Sequence, residues 1–478
     1  MEHFETTVVQ PLLLEQLLAL EAYFQEHKDE LAVEFLASIQ HICGEIRAMQ
    51  AAGTKGKIGY ITYSMLRIEL LSGRPAYLIE AMNEEWLFDR TECQAEYLAE
   101  WAFRYLDEFT VRCEQAGKAY MGAVTAPDIE KIKLKEAAKF HQYVVALAQY
   151  ALGRMNDDVH ARHALAQGDG NSQAEHANTS HPGAASPIPK HPWLFNQIEL
   201  EDELEIRVGE YWDISEVVYK RDLCPKDSAD TKQWLEEKEE DAYAYECFTG
   251  LDLSDGDYGE IDLRYTDFTG SDLSESNLHK AVLVGAKCRE CRAAGADFSA
   301  SLIHEADFSH SDLTGASFAY ALGEGGMADP QEWEAPGFFP VNLSEAKLDD
   351  ALFANASLRG AVFSKASLRG SSFADADGRG AIFTEANLEL AKCWGADLEG
   401  ADFGGANLEM VNFAEANLQG VNFVGAKLAG VYWQGANLTQ AAFAEEVRAM
   451  IEPALDEEQR QHVRWISPSG NQTVGRSR

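Results

Sequence analysis

The hydrophobic residues in the second half of the chain recur every five positions. In residues 405–428, GANLEMVNFAEANLQGVNFVGAKL, the large apolar residues are Leu408, Phe413, Leu418, Phe423 and Leu428. An amphipathic helix needs an apolar spacing near 3.6, and a strand with one buried face needs a spacing of two. This segment is therefore predicted to be neither. The same spacing extends from about residue 246 to about residue 445.

Each five-residue unit has a large residue at its centre, a small residue two positions earlier, and often Asp or Asn between them. In the block from Leu343 to Phe443, 18 of the 21 centres are Leu or Phe, and the exceptions are Gly378, Cys393 and Trp433. Side chains of an extended segment alternate in direction, so the centre and the small residue are predicted to point inward. The predicted core includes Phe353, Phe363, Phe403, Leu408, Phe413, Leu418, Phe423 and Leu428.

This pattern closely resembles the pentapeptide-repeat family, whose motif is A(D/N)Lxx, over about 200 of the 478 residues. The resemblance implies a right-handed quadrilateral β-helix, a solenoid in which four units form the four sides of one coil. Because Phe and Leu alternate at the centres, Phe is predicted on two opposite sides and Leu on the other two. Thirty-six units would make nine coils, and at about 4.8 Å each the solenoid would be about 43 Å long.

The segment AYALGEGGMADPQEWEAPGFFPV interrupts the repeat. The alternation of Phe stays in phase across the interruption if Phe338 is the centre of one intervening unit. Residues 321–335 are therefore predicted to be extruded as a loop, and PGFFP to rejoin the coil.

The loop carries four large apolar residues near a bend rich in Gly and Pro: Met327, Trp333, Phe338 and Phe339. Exposed aromatic side chains on loops are favoured for protein contact, so these four are candidate partner-binding residues. Packing of the same residues onto the solenoid is the alternative.

Residues 1–154 are predicted to form an all-α bundle. The segment 94–113 has an apolar stripe at helical spacing, formed by Tyr97, Trp101, Tyr105 and Phe109. A further helix should begin near Pro127 and Asp128, residue types that favour a helix N-terminus. Shorter helical patterns cover roughly 9–50 and 58–82.

Residues 155–192 are predicted to be a flexible linker, since Gly, Ser, Asn, Ala and Pro dominate and apolar periodicity vanishes. The linker contains five histidines: His160, His163, His176, His181 and His191. His-rich tracts can bind metal, but the irregular spacing favours a solvated tether. Residues 193–245 are predicted to be an acidic α+β cap segment, with two short strands and a helix leading into the repeat at 246–445. A C-terminal helix and disordered tail are predicted at 446–478.

The composition argues against several classes of protein. The net charge is −39 over the chain, and residues 246–445 carry 31 acidic and 12 basic residues. Such a charge disfavours direct binding to nucleic acid or an anionic membrane. The eight Cys do not form a disulfide framework, and neither a signal peptide nor an apolar run long enough to span a membrane is evident. We therefore expect a bacterial-type, cytoplasmic protein.

Candidate chemistry is sparse. Cys288 and Cys291 form a CxxC pair, but both occupy inward positions of the repeat and are predicted to be core. The segment GTKGK at 53–57 does not satisfy GxxxxGK[ST]. His41 and His141 stand alone in helical patterns and are predicted to be packed or solvated. We expect no catalytic residues, cofactor or metal.

Three functions are compatible with these observations. The first is a non-catalytic protein–protein interaction or scaffold protein built on the acidic repeat. The second is a DNA-mimicking protein that protects or inhibits topoisomerase (gyrase), as the quinolone-resistance branch of the family does. The third is an enzyme in the helical domain with the repeat as a targeting arm. We expect another protein as partner, and the C-terminal helix could form a homodimer.

Overall fold

The computed structural model describes residues 1–155, 195, 197–211, 215–222, 224–240, 242–327 and 333–467. The five histidines of the predicted linker and the predicted disordered tail beyond residue 467 lie outside the described residues. The chain divides into two compact units. The first comprises Met1–Cys224 and Met327–Gly337, and the second comprises Pro225–Gly326 and Phe338–Arg478.

The first unit combines long helices with a β-sheet. A continuous helix of about 50 residues opens the chain: α1 (Glu2–Phe4), a π-helical turn (Glu5–Val9) and α2 (Gln10–Ala51). The other helices described here are α3 (Arg67–Leu71), α4 (Glu100–Gly117) and α5 (Ala126–Met155). The strands are β1 (Ile58–Met65), β2 (Ala76–Met82), β3 (Gln94–Leu98), β4 (Leu200–Glu210) and β5 (Ser215–Asp222). Single 3₁₀ turns lie at Trp86–Phe88 and Lys118–Tyr120.

The sheet of the first unit is mixed, with strand order β3-β2-β1-β4-β5 over the described residues. Strand β1 pairs antiparallel with β2 and parallel with β4, and the two outer pairs are antiparallel. Helices α2, α4 and α5 pack on one another, with Phe24 of α2 stacked on Trp101 at a centroid distance of 5.9 Å. Phe35 of α2 contacts Tyr63 of β1 at 5.0 Å, so helices and sheet share one core.

The prediction of an all-α bundle is wrong. Residues 58–82 form β1, α3 and β2, and the predicted helix 94–113 begins instead at Glu100, after strand β3. Strand β1 was wrongly predicted to be helical because both of its faces are buried. Ile61 and Tyr63 are inaccessible on one face, and Thr62 is 7% exposed on the other. Its sequence therefore lacks the alternation of a half-buried strand, although Ile, Tyr and Thr favour sheets.

Other local predictions hold. Helix α5 begins near Pro127, and the Asp128 carboxylate accepts hydrogen bonds from the Thr125 amide (2.9 Å) and hydroxyl (2.6 Å). The two strands and the helix predicted within 193–245 are β4, β5 and α6 (Ser228–Glu236). However, β4 and β5 complete the sheet of the first unit, and the boundary between the units lies at Cys224/Pro225.

The second unit is a solenoid of five-residue repeats. From Cys247 onward, the residue before a centre forms a parallel bridge with the residue 20 positions later, except where the bridge crosses the interruption, so four units make one coil. Centres of the same column stack across coils: Phe353 lies 4.7 Å from Phe373, and Phe363 lies 4.8 Å from Phe383, with nearly parallel rings. The predicted alternation of Phe columns is therefore confirmed.

The interior of the solenoid contains the predicted core residues. None of them is more than 2% exposed: Phe353, Phe363, Phe403, Leu408, Phe413, Leu418, Phe423 and Leu428. Gly378 stands in a Leu column, where an added Cβ would lie 2.9 Å from Leu398 Cδ2. The neighbouring leucine thus takes up the space that a side chain would occupy.

Asp and Asn precede the centres because their side chains complete the turns. Asn407 Oδ1 accepts the amide of Glu409 at 3.3 Å, and its Nδ2 donates to Asn387 Oδ1 of the preceding coil at 2.9 Å. Asn417 repeats this arrangement with Asp397 at 2.8 Å. A short polar side chain that bonds its own backbone two residues on stabilises a turn.

The interruption of the solenoid differs from the prediction in two respects, its first residues and its intervening centre. Residues 321–325 were predicted to be extruded, but they lie in the coil, where Ala321 is buried and the Gly323 and Gly325 amides donate to the Ser357 and Arg359 carbonyls of the next coil. Leu322 bridges both Leu302 and Ser357, so Gly323, rather than Phe338, is the centre of the intervening unit. The chain leaves the coil after Gly325. An antiparallel bridge between Gly326 and Phe338 closes the base of the insertion, and the repeat resumes at Val341. The alternation stays in phase because the insertion is 15 residues, since Asp307 bridges Asn342 across 35 residues instead of 20.

Gly323 was not predicted to be a centre because glycine has no hydrophobic side chain to mark the position. A Cβ there would lie 2.9 Å from Ile303 Cγ1 and from Val341 Cγ1, so these two neighbours fill the interior. Phe338 has the residue type and spacing of a centre, but its side chain is 37% exposed and does not lie in the interior.

The C-terminal end is closed by short elements. These are β6 (Ala442–Ala444), a 3₁₀ turn (Glu445–Val447), α7 (Arg448–Ile451), a 3₁₀ turn (Glu452–Ala454), α8 (Glu457–His462) and β7 (Arg464–Ile466). Strand β7 pairs parallel with β6, and Gln459 Nε2 donates to the carbonyls of Trp433 and Ala436, both at 2.9 Å. The predicted C-terminal helix is therefore two short helices that cover the last coil.

Candidate interaction surfaces

The four candidate loop residues do not form one exposed patch. Trp333 belongs to the first unit, where its indole Nε1 donates to the Tyr143 hydroxyl at 2.8 Å and its ring stacks on that of Tyr143 at 6.4 Å. Phe338 belongs to the second unit and stacks on His304 at 4.5 Å. Met327 and Phe339 are half-buried. Their role in binding a partner remains a prediction, and the structure gives Trp333 and Phe338 intramolecular contacts.

One side of the solenoid presents exposed aromatic residues that the loop prediction overlooked. This side is the column of units whose bridging residues are Ser317, Leu352, Ser372, Lys392, Asn412 and Tyr432. Outside the loop, the exposed aromatic side chains of the described coils all lie on it: Tyr320 (62% exposed), Trp394 (47%) and Tyr432 (53%). We call it the Trp394 side.

The side chains above and below Trp394 in the adjacent coils are small and uncharged. In the same position of the adjacent coils stand Ala374 and Ala414, whereas the corresponding residues of the flanking units along the chain are Glu389 and Glu399. Leu390 and Met410, both exposed, lie one coil apart at the corner that leads into this side. The sequence could have indicated this surface, because Trp394 stands at an outward position of the repeat, where a tryptophan has no role in the core.

Comparison with known proteins decides the class of the second unit. The family model described as pentapeptide repeats matches eight copies, with matches at residues 247–284, 281–318, 341–375, 356–392, 381–420 and 391–430. The C-terminal part of this chain belongs to the pentapeptide-repeat family. No match was found among curated proteins.

Several solved pentapeptide-repeat structures are similar to this chain. HetL from Nostoc sp. strain PCC 7120, involved in heterocyst differentiation regulation, is 25% identical, with 45% of this chain and 97% of HetL covered and a TM-score of 0.23. A protein from the Arabidopsis thaliana thylakoid lumen is 32% identical over 23% of this chain and 77% of that one, with the same TM-score of 0.23. QnrB1, a plasmid-mediated fluoroquinolone resistance protein, is 20% identical over 45% and 92%, with a TM-score of 0.23.

The acidic residues of the pentapeptide repeat are partly neutralised by ion pairs between coils. Arg292 pairs with Asp272 of the preceding coil at 2.9 Å, and Lys347 pairs with Asp312 at 3.3 Å. Within one unit, Arg379 pairs with Asp377 at 2.6 Å, which raises the pKa of the guanidinium, and Arg379 also lies 3.6 Å from Asp397 of the next coil. Charges of both signs therefore alternate over parts of this surface.

The CxxC pair lies in the repeat interior, as predicted. Cys291 Sγ donates to the Phe268 carbonyl at 2.8 Å, and this neighbouring thiol, together with burial, raises the pKa of Cys288. No group of three or more His, Cys, Asp or Glu side chains with the geometry of a metal site occurs among the described residues.

Several buried polar side chains of the first unit are paired. Lys55, in the segment that superficially resembled a phosphate loop, forms a buried ion pair with Asp89 at 2.7 Å. Burial alone would raise the pKa of Asp89, but hydrogen bonds from Lys55 and from the amides of Thr91 and Asn83 lower it. His141 shares a hydrogen bond of 2.7 Å with the Tyr77 hydroxyl, whereas His41 is exposed. Enzymatic activity in this unit remains a hypothesis.

Proposed function

We propose that this protein is a non-catalytic interaction protein in which the pentapeptide repeat is a scaffold and the Trp394 side contacts another protein. The observation that carries the proposal is the location of Tyr320, Trp394 and Tyr432 on one side of the solenoid. Aromatic residues in such positions are the ones most often found at the energetic centre of protein interfaces.

The surface around Trp394 fits a protein partner better than a nucleic acid. Its charged residues are Lys392 in the same unit and Asp375 and Glu415 in the adjacent coils, which together carry a net negative charge. A nucleic-acid surface needs clustered Lys and Arg to neutralise phosphates. A largely apolar surface with a polar rim is the arrangement expected at the core of a protein interface.

The finer architecture is part of the proposal. We infer that the coil is the right-handed quadrilateral β-helix implied by the family, because bridged residues outside the interruption are four five-residue units apart. We also propose that the protein acts in the cytoplasm and binds neither nucleic acid nor membrane. Among the described residues, no helix has the length and apolar character needed to cross a membrane. A homodimer through the C-terminal segment remains a proposal, and its buried Ile451, Leu455 and Gln459 contact the same unit.

Topoisomerase protection by DNA mimicry is the second candidate, and it is supported by the 31 acidic against 12 basic residues of 246–445. The fluoroquinolone resistance activity named for QnrB1 makes the same candidate worth testing. The ion pairs between coils weaken it, because a carboxylate held by Arg or Lys presents less negative charge than a phosphate. A gyrase supercoiling assay with the purified protein decides: no inhibition and no protection from a fluoroquinolone at micromolar concentration would refute this candidate.

The interaction proposal is tested by affinity capture with three full-length proteins: wild type, W394A/Y432A and the control I382A/V424A. The control removes two exposed apolar residues from a different side of the same solenoid. Proteins captured from native cell extract by wild type and control should be lost with W394A/Y432A, and a purified captured protein should bind W394A/Y432A at least about 30-fold more weakly, corresponding to about 2 kcal/mol. Equal binding by all three would refute the Trp394 side as the contact.

A further inference from the structure

Helices α2 and α5 of the first unit hold the short segment Trp333–Gly337 at both of its ends. At one end, the Trp333 indole donates to the Tyr143 hydroxyl, which in turn donates to Glu21 Oε2 at 2.9 Å. Lys139, one helical turn before Tyr143, places its Nζ 6.0 Å from the centroid of the Trp333 ring. The indole is therefore recognised by its polar atom and by its face.

At the other end, the main chain of Gly337 is bound through both of its polar groups. Glu21 Oε2 accepts the Gly337 amide at 3.1 Å, and Gln25 Nε2 donates to the Gly337 carbonyl at 3.2 Å. Gln25 Nε2 also lies 2.9 Å from Glu21 Oε1, one helical turn away. Recognition of an N–H and a C=O together is independent of the side chain, as in peptide binding by strand addition.

The groups that hold this segment are buried, whereas its middle is exposed. Glu21 is 7% exposed and Tyr143 is inaccessible, while Glu334 and Ala335 lie on the surface. A buried carboxylate is costly unless its oxygens are hydrogen-bonded, and Glu21 obtains such bonds from Tyr143, Gln25 and Gly337. The contact is thus confined to two recognised ends.

We propose that Glu21, Gln25 and Tyr143 form a peptide-binding site. Its ligand is a short peptide with a tryptophan and, four residues later, an accessible main-chain N–H and C=O. The chain's own Trp333–Gly337 is the resident ligand. This site lies in the first unit and is independent of the proposed role of the Trp394 side, so either proposal can fail without the other.

The test uses the full-length W333A variant, in which the resident segment lacks its indole. The probe is a fluorescently labelled peptide, acetyl-WEAPGF-amide, which has the sequence of residues 333–338. Fluorescence anisotropy should show saturable binding to W333A and binding at least about 10-fold weaker to the wild-type chain, because the resident segment competes. The peptide acetyl-AEAPGF-amide should not bind.

Two further variants locate the site. W333A/Y143F loses the hydroxyl that links the indole to Glu21 and should bind the probe about 10-fold more weakly, since two hydrogen bonds are removed. W333A/Y150F changes another tyrosine of α5, which bonds Asp29 rather than the segment, and should bind like W333A. Absence of saturable binding to folded W333A, equal binding of the alanine peptide, or no effect of Y143F would overturn the proposal.

Hydrogen exchange provides a measurement that does not depend on the folding of W333A. In the otherwise wild-type chain, the Gly337 amide should exchange at least about 10-fold faster in Y143F than in Y150F. Equal exchange rates in the two variants would show that Tyr143 does not hold the segment, and would likewise overturn the proposal.

Discussion

Replacing Gly256 by a larger residue is predicted to destabilise the coil that contains Tyr258. It occupies the inward small position that is usually Ala, and Tyr258 occupies the centre that is usually Leu or Phe. A Cβ at residue 256 would lie 2.1 Å from both Cζ and the hydroxyl oxygen of Tyr258. The Tyr258 ring is inaccessible to solvent, and its hydroxyl donates to the Leu253 carbonyl at 2.8 Å. The substitution G256A must therefore displace the ring.

The expected cost has two parts. Overpacking a filled core costs about 1–3 kcal/mol, and loss of the hydrogen bond to Leu253 costs about 1 kcal/mol. G256A should therefore lower the free energy of unfolding by about 2–4 kcal/mol. Backbone strain does not contribute, because Gly256 is not among the residues with positive φ.

A double-mutant cycle separates this steric cause from any general intolerance of the coil. Y258L alone should cost about 1–3 kcal/mol, since Leu leaves part of the Tyr volume empty. G256A/Y258L restores the Ala–Leu pair of the ordinary unit and should be more stable than either single variant, with a favourable coupling of at least about 2 kcal/mol.

Urea unfolding followed by circular dichroism measures these differences, and hydrogen exchange of the Tyr258 amide, which bonds the Asn277 carbonyl of the next coil, reads the same coil locally. The control is G404A, whose Cβ would approach the side-chain ends of Asp402 and Asn422 at 3.1 and 3.4 Å and the Val424 carbonyl oxygen at an ordinary contact distance of 3.8 Å. It should change the unfolding free energy by less than about 0.5 kcal/mol. A cost for G256A no larger than that of G404A, or the absence of rescue by Y258L, would refute the reasoning.

Three other predictions concern single residues. G44A should raise the unfolding free energy by about 0.5–1 kcal/mol in urea unfolding, because Gly44 lies inside α2 with no atom within 4 Å of an added Cβ. G380A should lower it by about 1–2 kcal/mol in the same assay, because Gly380 has φ +67° and equally open surroundings, so backbone strain acts alone. Burial lowers the pKa of His141 from 6.5 to about 4, so its contribution to stability is complete above pH 6.5 and declines as the pH falls toward 4. Urea unfolding from pH 8 to 4 should show a smaller decline in H141Q than in wild type, and identical pH profiles would contradict this.

The repeat could be predicted closely because its period fixes which side chains point inward. Phe353 and Phe373 stack across a coil as the alternation of Phe and Leu requires. Even the interruption preserved this alternation, because its 15 residues correspond to three whole units. The position of the intervening unit was missed because Gly323 carries no hydrophobic signal, while the exposed Phe338 carries a strong one.

The first unit was predicted less well because its structure depends on pairing between distant segments. Strand β1 pairs with β4 through contacts such as Tyr63 with Val208, and no local pattern in either segment indicates the other. The contact of Trp333 with Tyr143 spans 190 residues. In the sequence Trp333 was recognisable as a candidate binding residue, but the group it contacts was not.

Outward positions of a solenoid are the places where sequence departs from what folding requires. The inward columns are constrained because every centre touches the centres of the adjacent coils, as Phe403 contacts Phe383 and Phe423. An outward residue has no such constraint, and exposed aromatic surface is unfavourable in water. Trp394 between Ala374 and Ala414 is therefore not explained by the stability of the coil, and its exposed indole is the strongest evidence in this solenoid for a surface that another protein covers.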